Sequence, residues 1–349
     1  MRLQVKNILL RFRDSFFSAL ENVALDCESS ITSKDKINFV VIGPRPGRGL
    51  SESVSDSEFL ITFPKQYIPQ LIYLRYNSQF WIFSSLKLLS LSKSNLKLKI
   101  LLIQYVPKFH KFPSLRLLEF LESRGSIITK VWLDSWSVEI WRNRILPCSH
   151  IGKFNVISDI PNNPMTALDQ THIYEFTPTP IPILPRIPFE ERDTFLYYSG
   201  GRSASGLYKS RGEILDKLST FGFPVAGHSY DRDNPGRRPT YNEYRNSLSR
   251  SKIGLNFTWK NESSIITGRT WEILSSAVLL LQNTSNILND FFEEDVHYVA
   301  FGSFDELVEK LRFFDSNPNV IEKISLAGQS RYLKLFGNDT FWRNYLTNS

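Results

Sequence analysis

The chain has 349 residues, of which 42% are hydrophobic and 22% are charged, and its formal net charge is +7. This composition is typical of globular proteins and excludes a disordered chain, while the length predicts two domains rather than one core. The basic balance favours an anionic partner, whether a phosphorylated ligand, a nucleic acid or an anionic membrane surface. The two cysteines, Cys27 and Cys148, are too few for a disulfide framework and lack metal-ligand spacing, which suits a reducing cytoplasm.

Residues 1–25 predict an amphipathic helix, because apolar side chains recur at helical spacing with arginines and lysines between them. Charged residues from Arg2 to Asp14 interrupt any signal-peptide core, and no apolar run reaches the length of a membrane span. We therefore expect a cytoplasmic protein whose first helix packs on its own domain. Basic amphipathic helices also lie on membranes, so peripheral association with the inner face of the membrane stays open.

Strands and helices alternate through residues 1–160, which predicts a Rossmann-like domain with a parallel sheet. The expected strands are Ile37–Ile42, Phe59–Phe63, Leu98–Gln104, Ile127–Leu133 and Phe154–Ile157, and the expected helices are residues 80–91 and Ser114–Ser123. A loop rich in glycine and proline, Gly43–Gly49, follows the first strand. It does not fit the dinucleotide fingerprint, and we expect it to border an interdomain cleft.

Residues 161–190 are crowded with proline, which fixes φ and lacks the donor that a central strand needs. This predicts a stiff, semi-extended linker between the first domain and a second domain of residues 191–349. The expected elements of the second domain are strands at Thr194–Tyr198, Phe223–Ala226, Ile253–Phe257 and Ala277–Leu281 and a helix at Ser210–Leu218. The order from residue 244 to 302 is helix, strand, loop, helix, strand, short helix, strand.

Two polar loops follow strands of the second domain, at the sheet edge where open α/β sheets bind their ligands. The first loop begins with Gly201 and Arg202 and leads to Lys209 at a helix start. The second precedes a helix whose first turn contains Arg269, Thr270 and Glu272, so that the arginine can meet a phosphate and the glutamate can accept sugar hydroxyls. A solvated basic loop, a solvated arginine and a carboxylate that only stabilises the helix N-terminus are the alternative interpretations.

The segment RTWEILSSAVLLL, residues 269–281, resembles the R-(T/S)-F-E-xx-A-x-G-xx-L-L segment of GT-B glycosyltransferases. It is most similar to the group-1-like family that includes the CgeB-type spore-maturation proteins. The segments FDELVEKLRFF and ISLAGQSRY, which begin at residues 304 and 324, resemble the tail of that family and extend the resemblance over residues 190–345. The resemblance implies an α/β protein of GT-B architecture, in which two Rossmann-like domains face a cleft.

The resemblance further implies a glycosyltransferase that moves a sugar from a nucleotide-diphosphate donor to a glycan, lipid-linked or other acceptor held by the first domain. The donor would be bound by the second domain, with Arg202 and Lys209 at the diphosphate beside Gly201 and with Glu272 at the ribose. These roles are physically reasonable. Glycines allow a ligand to approach the backbone closely, and two cations together with a helix N-terminus offset the charge of the leaving diphosphate. No metal and no cofactor besides the donor is expected.

The sequence departs from the retaining members of that family, which have a second glutamate before the one that Glu272 matches. Ser264 stands at that position, and the nearest acid is Glu262. Retention or inversion therefore stays open, and no catalytic residue is assigned. Asp134 and His150 are candidate bases for inversion, although each is equally well explained as a helix cap or a loop residue.

Two other classes of protein stay open. One is a catalytically degenerate GT-B protein that binds a nucleotide sugar or glycan without turnover. The other is a nucleic-acid-binding protein, since 13% of the residues are aromatic and the chain is basic. The sequence has no compact stripe of basic and aromatic residues, so we expect no nucleic-acid partner.

Overall fold

The computed structural model describes residues 39–43, 71–75, 81–94, 98–103, 113–132, 155–158, 174–176, 181, 183–202, 209–227, 229–231, 239, 241–257, 266–284, 286–337, 340 and 342. Several sequence-based predictions concern residues outside these ranges. They are the helix of residues 1–25, the strand Phe59–Phe63, most of the loop Gly43–Gly49, and the roles discussed for Asp134, His150, Glu262 and Ser264.

The first part of the chain forms a six-stranded parallel sheet with the order β2-β1-β3-β4-β5-β6. Its strands are β1 (Phe39–Gly43), β2 (Leu71–Arg75), β3 (Lys99–Ile103), β4 (Ile127–Trp132), β5 (Asn155–Ser158) and β6 (Tyr174–Phe176), and its helices are α1 (Trp81–Ser94) and α2 (Leu115–Ser123). Four of the strands and both helices were expected from the sequence, whereas β2 and β6 were not. β6 lies in the predicted linker, in the proline-free stretch between Pro164 and Pro178, and a three-residue edge strand fits there because it pairs on one side only.

The core of this part is formed by the apolar central strands and one face of α2. Val40, Ile100 and Ile128 are almost fully buried, and so are Leu118 and Leu121 of α2. Burial on both faces explains why the central strands are continuous apolar runs rather than alternating ones.

The second part of the chain forms a four-stranded parallel sheet with the order β12-β11-β10-β7, beside a two-stranded parallel ribbon of β8 and β9. The strands are β7 (Thr194–Tyr197), β8 (Gly200–Arg202), β9 (Ser229–Asp231), β10 (Ser251–Asn256), β11 (Leu279–Asn283) and β12 (Val299–Phe301). The helices are α3 (Lys209–Thr220), α4 (Tyr241–Ser249), α5 (Gly268–Ser275), α6 (Phe304–Ser316) and α7 (Pro318–Phe336), with 3-10 turns at Phe189–Glu191 and Asn286–Asp290. The helices and strands predicted for residues 244–302 follow in the expected order, whereas most of the predicted loop between β10 and α5 lies outside the described residues.

Helices cover both faces of the second sheet. Leu279 and Leu281 of β11 pack with Leu311 of α6 on one face, whereas Leu280 packs with Trp271 of α5 on the other. This two-sided burial explains the run VLLL that the sequence analysis assigned to a strand. Because helices cover both faces, the parts of this sheet that a ligand can reach are the ends of its strands.

Two expected strands differ from the observed ones for local reasons. The predicted strand Phe223–Ala226 is reduced to a single parallel bridge between Ala226 and Tyr197, since Pro224 cannot donate to a ladder. The strand predicted from Ala277 begins at Leu279 instead. Ala277 has a φ of +54° in the turn after α5, a conformation that ends the helix rather than opening a strand.

Candidate functional site

The carboxyl ends of β7 and β10 meet at one edge of the second sheet, together with the N-termini of α3 and α5. β7 and β10 are paired in parallel, so their carboxyl ends lie side by side. The segment after β7 contains the ribbon strand β8, and the described residues beyond β10 resume shortly before α5. This edge therefore contains the backbone of every residue that the sequence analysis assigned to a ligand.

The Gly-Gly-Arg strand β8 lies directly against Arg269. A Cβ atom added at Gly200 would be 2.7 Å from Arg269 Nη2 and 2.6 Å from the hydroxyl oxygen of Tyr198, so a larger residue would have to displace the ends of these two side chains. The Tyr198 hydroxyl donates to the carbonyl of Gly201 at 3.3 Å. The two predicted anion-binding segments are far apart in sequence, and the fold brings them into contact.

Arg269 is half-buried in the first turn of α5. Its Nη1 donates to Asn256 Oδ1 at 3.0 Å, and its guanidinium carbon lies 5.3 Å from the centroid of the Tyr198 ring. A cation over an aromatic face is held electrostatically by the ring. The guanidinium is thus held from two sides next to the backbone of β8.

Thr270 lies beneath Arg269 and is fully buried. Its hydroxyl donates to Gln282 Oε1 at 2.9 Å and accepts from Asn256 Nδ2 at 3.0 Å. The sequence analysis predicted a ligand contact for Thr270. The structure places its side chain in the hydrogen-bond network that supports Arg269.

Glu272 lies deeper in the protein than Arg269 and is 3% exposed. Its Oε2 accepts a hydrogen bond of 2.7 Å from the Tyr244 hydroxyl, and its backbone carbonyl accepts one of 2.8 Å from Arg245 Nη1. Burial, and then the neighbouring negative charge of Glu272, raise the pKa of Tyr244 well above its usual value. Tyr244 therefore stays protonated and donates to the carboxylate over the whole physiological pH range.

The remaining cations come from the β8 and α3 region. Arg202 is paired in register with Asp231 of β9, and Lys209 is the first residue of α3; the side chains of Arg202 and Lys209 lie outside the described part of the structure. Arg211, in the first turn of α3, is buried, and its Nη2 donates to the carbonyl of Phe257 at 3.2 Å. Arg211 thus reaches the end of β10, where Arg269 is also bound.

Four side chains that shape this edge were not expected from the sequence, namely Tyr198, Tyr244, Asn256 and Gln282. Asn256 and Gln282 were detectable in principle, because each is a polar residue at the end of an apolar strand. The two are paired in register across β10 and β11. Tyr198 and Tyr244 gave no such signal, because aromatic residues at their positions in the sequence pattern are ordinarily core residues.

Two features are absent from the described part of the chain. Within it, no group of three or more His, Cys, Asp and Glu side chains has an arrangement that would hold a metal ion. No helix in this part combines the length and the hydropathy that crossing a bilayer requires. The chemistry that the carboxyl edge does offer is that of an anion site: guanidinium groups, close backbone access at glycine and helix N-termini.

Comparison with known proteins agrees with this geometry. Residues 211–347 match a family model described as glycosyl transferase-like. No curated protein matches the chain. The phage T4 glucosyltransferase BGT, solved with UDP-glucose, is similar in structure with a TM-score of 0.55 and 11% identity, covering 89% of this chain and 98% of that one. The fold is GT-B.

Two further solved structures have the same fold. HepE from Anabaena, solved with UDP-glucose, has a TM-score of 0.52 and 10% identity, with 89% of this chain and 98% of that chain covered. An alpha-glucosyltransferase solved with UDP-glucose and DNA containing an abasic site has a TM-score of 0.59 and 8% identity, with the same coverage. The predicted GT-B architecture is confirmed. The likeness to CgeB-type proteins in particular stays a prediction.

Proposed function

We propose that the protein is a glycosyltransferase whose second domain binds a nucleotide-diphosphate sugar at the carboxyl edge of its sheet. One observation carries this proposal: Arg269 lies against the glycine strand β8, where a Cβ at Gly200 would collide with its guanidinium. Close backbone access beside a cation at a helix N-terminus is suited to a diphosphate. The family match over residues 211–347 supports the same chemistry.

Uridine diphosphate is the nucleotide that we propose first. The phage T4 BGT, HepE and the alpha-glucosyltransferase were each solved with UDP-glucose, and all three share the fold of this chain. In the proposed complex Arg269 contacts the diphosphate, with Arg202 and Lys209 as further cations and Gly201 at the backbone approach. When the sugar leaves, these cations stabilise the negative charge that develops on the diphosphate.

Glu272 is the proposed partner of the ribose hydroxyls, which requires a change in its present surroundings. Its carboxylate accepts from the Tyr244 hydroxyl and is almost fully buried. A ribose hydroxyl would take the position of the tyrosine donor or bind beside it. The role of Glu272 is accordingly the part of the proposed donor site that differs most from the observed arrangement.

The acceptor that we propose is a glycan or a lipid-linked sugar, bound by the first domain, with transfer independent of a metal ion. Cationic side chains at the donor edge supply the stabilisation that a metal would otherwise give. The phage T4 BGT has also been solved with UDP and Mn²⁺, so the activity assay has one arm with Mn²⁺ and one with a chelator. Equal rates in the two arms support the metal-independent reaction.

A nucleic-acid acceptor is a second candidate, against our expectation from the sequence. Two observations favour testing it: the net charge of +7 and the alpha-glucosyltransferase that was solved with DNA. Binding of generic DNA that weakens steeply with salt would support this acceptor class. Binding that is absent at low salt would exclude it.

The donor site is tested by thermal shift with nucleoside diphosphates and nucleotide sugars, on the wild type and on Arg269→Ala. A bound nucleotide raises the melting temperature of the folded state by mass action. We expect UDP and UDP-glucose to stabilise the wild type and to stabilise Arg269→Ala much less. Arg250→Ala is the matched control, because Arg250 lies at the other end of β10 in an exposed ion pair with Asp193.

Turnover separates an enzyme from a degenerate binding protein. The binding protein is favoured by Ser264, which stands where retaining enzymes have a glutamate, and by the buried hydrogen bond of Glu272. Release of UDP from UDP-glucose, with water or an added glycan as acceptor, supports the enzyme. Stabilisation by UDP-glucose without any release of UDP supports the binding protein.

A further inference from the structure

A buried amide network joins three elements at the carboxyl edge of the second sheet, where we propose that the donor binds. The fully buried Asn256 ends β10, and its Nδ2 lies 2.8 Å from Gln282 Oε1 of β11 and 3.0 Å from each of the hydroxyls of Thr267 and Thr270. Its Oδ1 accepts from Arg269 Nη1 at 3.0 Å. One side chain therefore connects two strands to the first turn of α5.

The amide of Asn256 has one orientation that satisfies its neighbours. A flip of this amide would place its Nδ2 against the Arg269 guanidinium, so that two donors would face each other. It would also place Oδ1 against Gln282 Oε1, so that two acceptors would face each other. Gln282 is fixed in the same way, since its Oε1 accepts from both Asn256 and Thr270. Its Nε2 is buried and has no hydrogen-bond partner among the described residues, so the bonds to Oε1 determine how this amide lies.

The parallel register creates this arrangement. Asn256 and Gln282 are direct partners across β10 and β11, so their side chains leave the sheet on the same face and meet. Asn256 then presents its carbonyl oxygen to Arg269, while the Tyr198 ring and the Gly200 backbone border the guanidinium elsewhere. An arginine at a helix start ordinarily samples many rotamers, and here three neighbours restrict it.

We propose that Asn256 and Gln282 are positioning residues, which hold the Arg269 guanidinium against β8 so that it is oriented for the diphosphate before the donor binds. This inference rests on the proposed donor site. A side chain ordered in advance lowers the entropy that is lost on binding. Both amides are fully buried, so we expect their substitution to act on the ligand through Arg269.

The orientation of Arg269 is measured without any ligand. In protein labelled with ¹⁵N-arginine, restricted rotation of a guanidinium separates its Nη signals. We expect separate Arg269 signals in the wild type and averaged ones in Asn256→Leu, which removes the acceptor at similar volume. Separate signals in both proteins would overturn the proposal.

The consequence for the ligand is measured by titration with UDP and with uridine, which lacks the phosphates. We expect Asn256→Leu to weaken UDP binding about tenfold, as for loss of one charged contact, and to leave uridine binding unchanged. In an Arg269→Ala background the same substitution should change UDP binding less than twofold, because the two residues act as a unit. A tenfold effect that persists without Arg269 would overturn the proposal.

A second variant and a control complete the experiment. Gln282→Leu leaves the acceptor of Arg269 in place but releases the Asn256 amide, so we expect a smaller loss of UDP affinity and partial averaging of the Arg269 signals. Arg250→Ala, in an exposed ion pair at the opposite edge, should change neither measurement. If the wild type does not bind UDP, the proposed donor fails, and the NMR comparison still decides whether Asn256 orients Arg269.

Discussion

The two edges of the second sheet carry arginines in opposite situations. At the amino edge Arg192 is 4% exposed and donates to the backbone carbonyls of Ala277 at 2.7 Å, Ser251 at 3.2 Å and Ile187 at 3.3 Å. At the carboxyl edge Arg269 is half-buried, and its acceptor within the described residues is the side chain of Asn256. Carbonyl acceptors hold Arg192 within the fold, whereas Arg269 faces a glycine strand.

The comparison of Arg192 with Arg269 shows that a buried cation is not by itself a sign of a ligand site. A buried charge must be compensated wherever it lies, and Arg192 is compensated by three backbone carbonyls. Parallel sheets bind ligands at the opposite edge, where helix N-termini favour anions. Substitutions at the amino edge should therefore change stability, and those at the carboxyl edge should change binding.

The largest effect is expected for Arg192→Met. It leaves the carbonyls of Ile187, Ser251 and Ala277 without their donor, and each unsatisfied buried group costs about 1–3 kcal/mol. We expect the free energy of unfolding to fall by about 3 kcal/mol or more in urea denaturation. UDP affinity of the folded protein should not change, and a loss of UDP binding by a stably folded variant would break the contrast between the edges.

Arg269→Ala should give the reverse pattern. Loss of one charged hydrogen bond to the diphosphate costs about 1.5–3 kcal/mol, which corresponds to a UDP affinity lower by about 10- to 100-fold. Its stability should change by less than in Arg192→Met, since a half-buried side chain leaves a site that water can enter. Calorimetric titration and urea denaturation of both variants give the comparison, and equal stability losses would contradict it.

Tyr244→Phe tests whether the buried pair at Glu272 belongs to the fold or to the ligand. Removing the hydroxyl leaves a buried carboxylate without that donor, which should cost about 1–3 kcal/mol of stability. If a ribose hydroxyl takes the position of the tyrosine donor, UDP should stabilise this variant at least as strongly as the wild type. UDP binding that is lost with the hydroxyl would show instead that Tyr244 is needed to hold Glu272 in place.

The smallest effect is expected for His297, which lies at the amino edge just before β12. Its Nδ1 accepts from the Glu293 backbone N–H at 3.0 Å, so the ring must be neutral, and burial followed by the charge of Arg331 lowers its pKa below 6.5. The unfolded state protonates first as the pH falls, so this contribution is complete above pH 6.5 and is lost as the pH drops through the folded-state pKa.

His297→Asn keeps an acceptor and removes the titration. We expect the wild type to lose up to about 1 kcal/mol more stability than the variant between pH 7.5 and pH 5, the size of one neutral hydrogen bond. Urea denaturation at the two pH values measures the difference. Parallel pH profiles for the two proteins would contradict it, and UDP affinity at pH 7.5 should be the same in both.

The sequence predicted much of the fold because parallel strands are buried on both faces and stand out as apolar runs. β10 and β11 were found in this way, and so was α5, whose start is marked by polar residues. β2 and β6 were missed, and β6 has only three residues, which are too few for a periodicity argument. The opposite error was made at Phe223–Ala226, which was predicted to be a strand. Pro224 in this apolar segment cannot donate a hydrogen bond to a ladder, and only a single bridge forms.

The candidate site was only partly predictable, for reasons of distance in the chain. The placement of Arg269 at a helix start follows from local pattern, but its contact with Gly200 depends on how β7 and β10 pair. Glu272 was expected at a ligand, and its hydrogen bond with Tyr244, a residue 28 positions away, was not expected. Partners of buried polar groups are set by tertiary packing, which a single sequence does not reveal.

The most direct test of the proposed donor site is ³¹P NMR of UDP in the presence of the wild-type protein, Arg269→Ala and Arg250→Ala. We expect both phosphate signals to shift and broaden with the wild type and with Arg250→Ala, and we expect these changes to be largely lost with Arg269→Ala. Phosphate signals unchanged by the wild-type protein, or changed equally by all three proteins, would contradict a diphosphate site at this edge of the sheet.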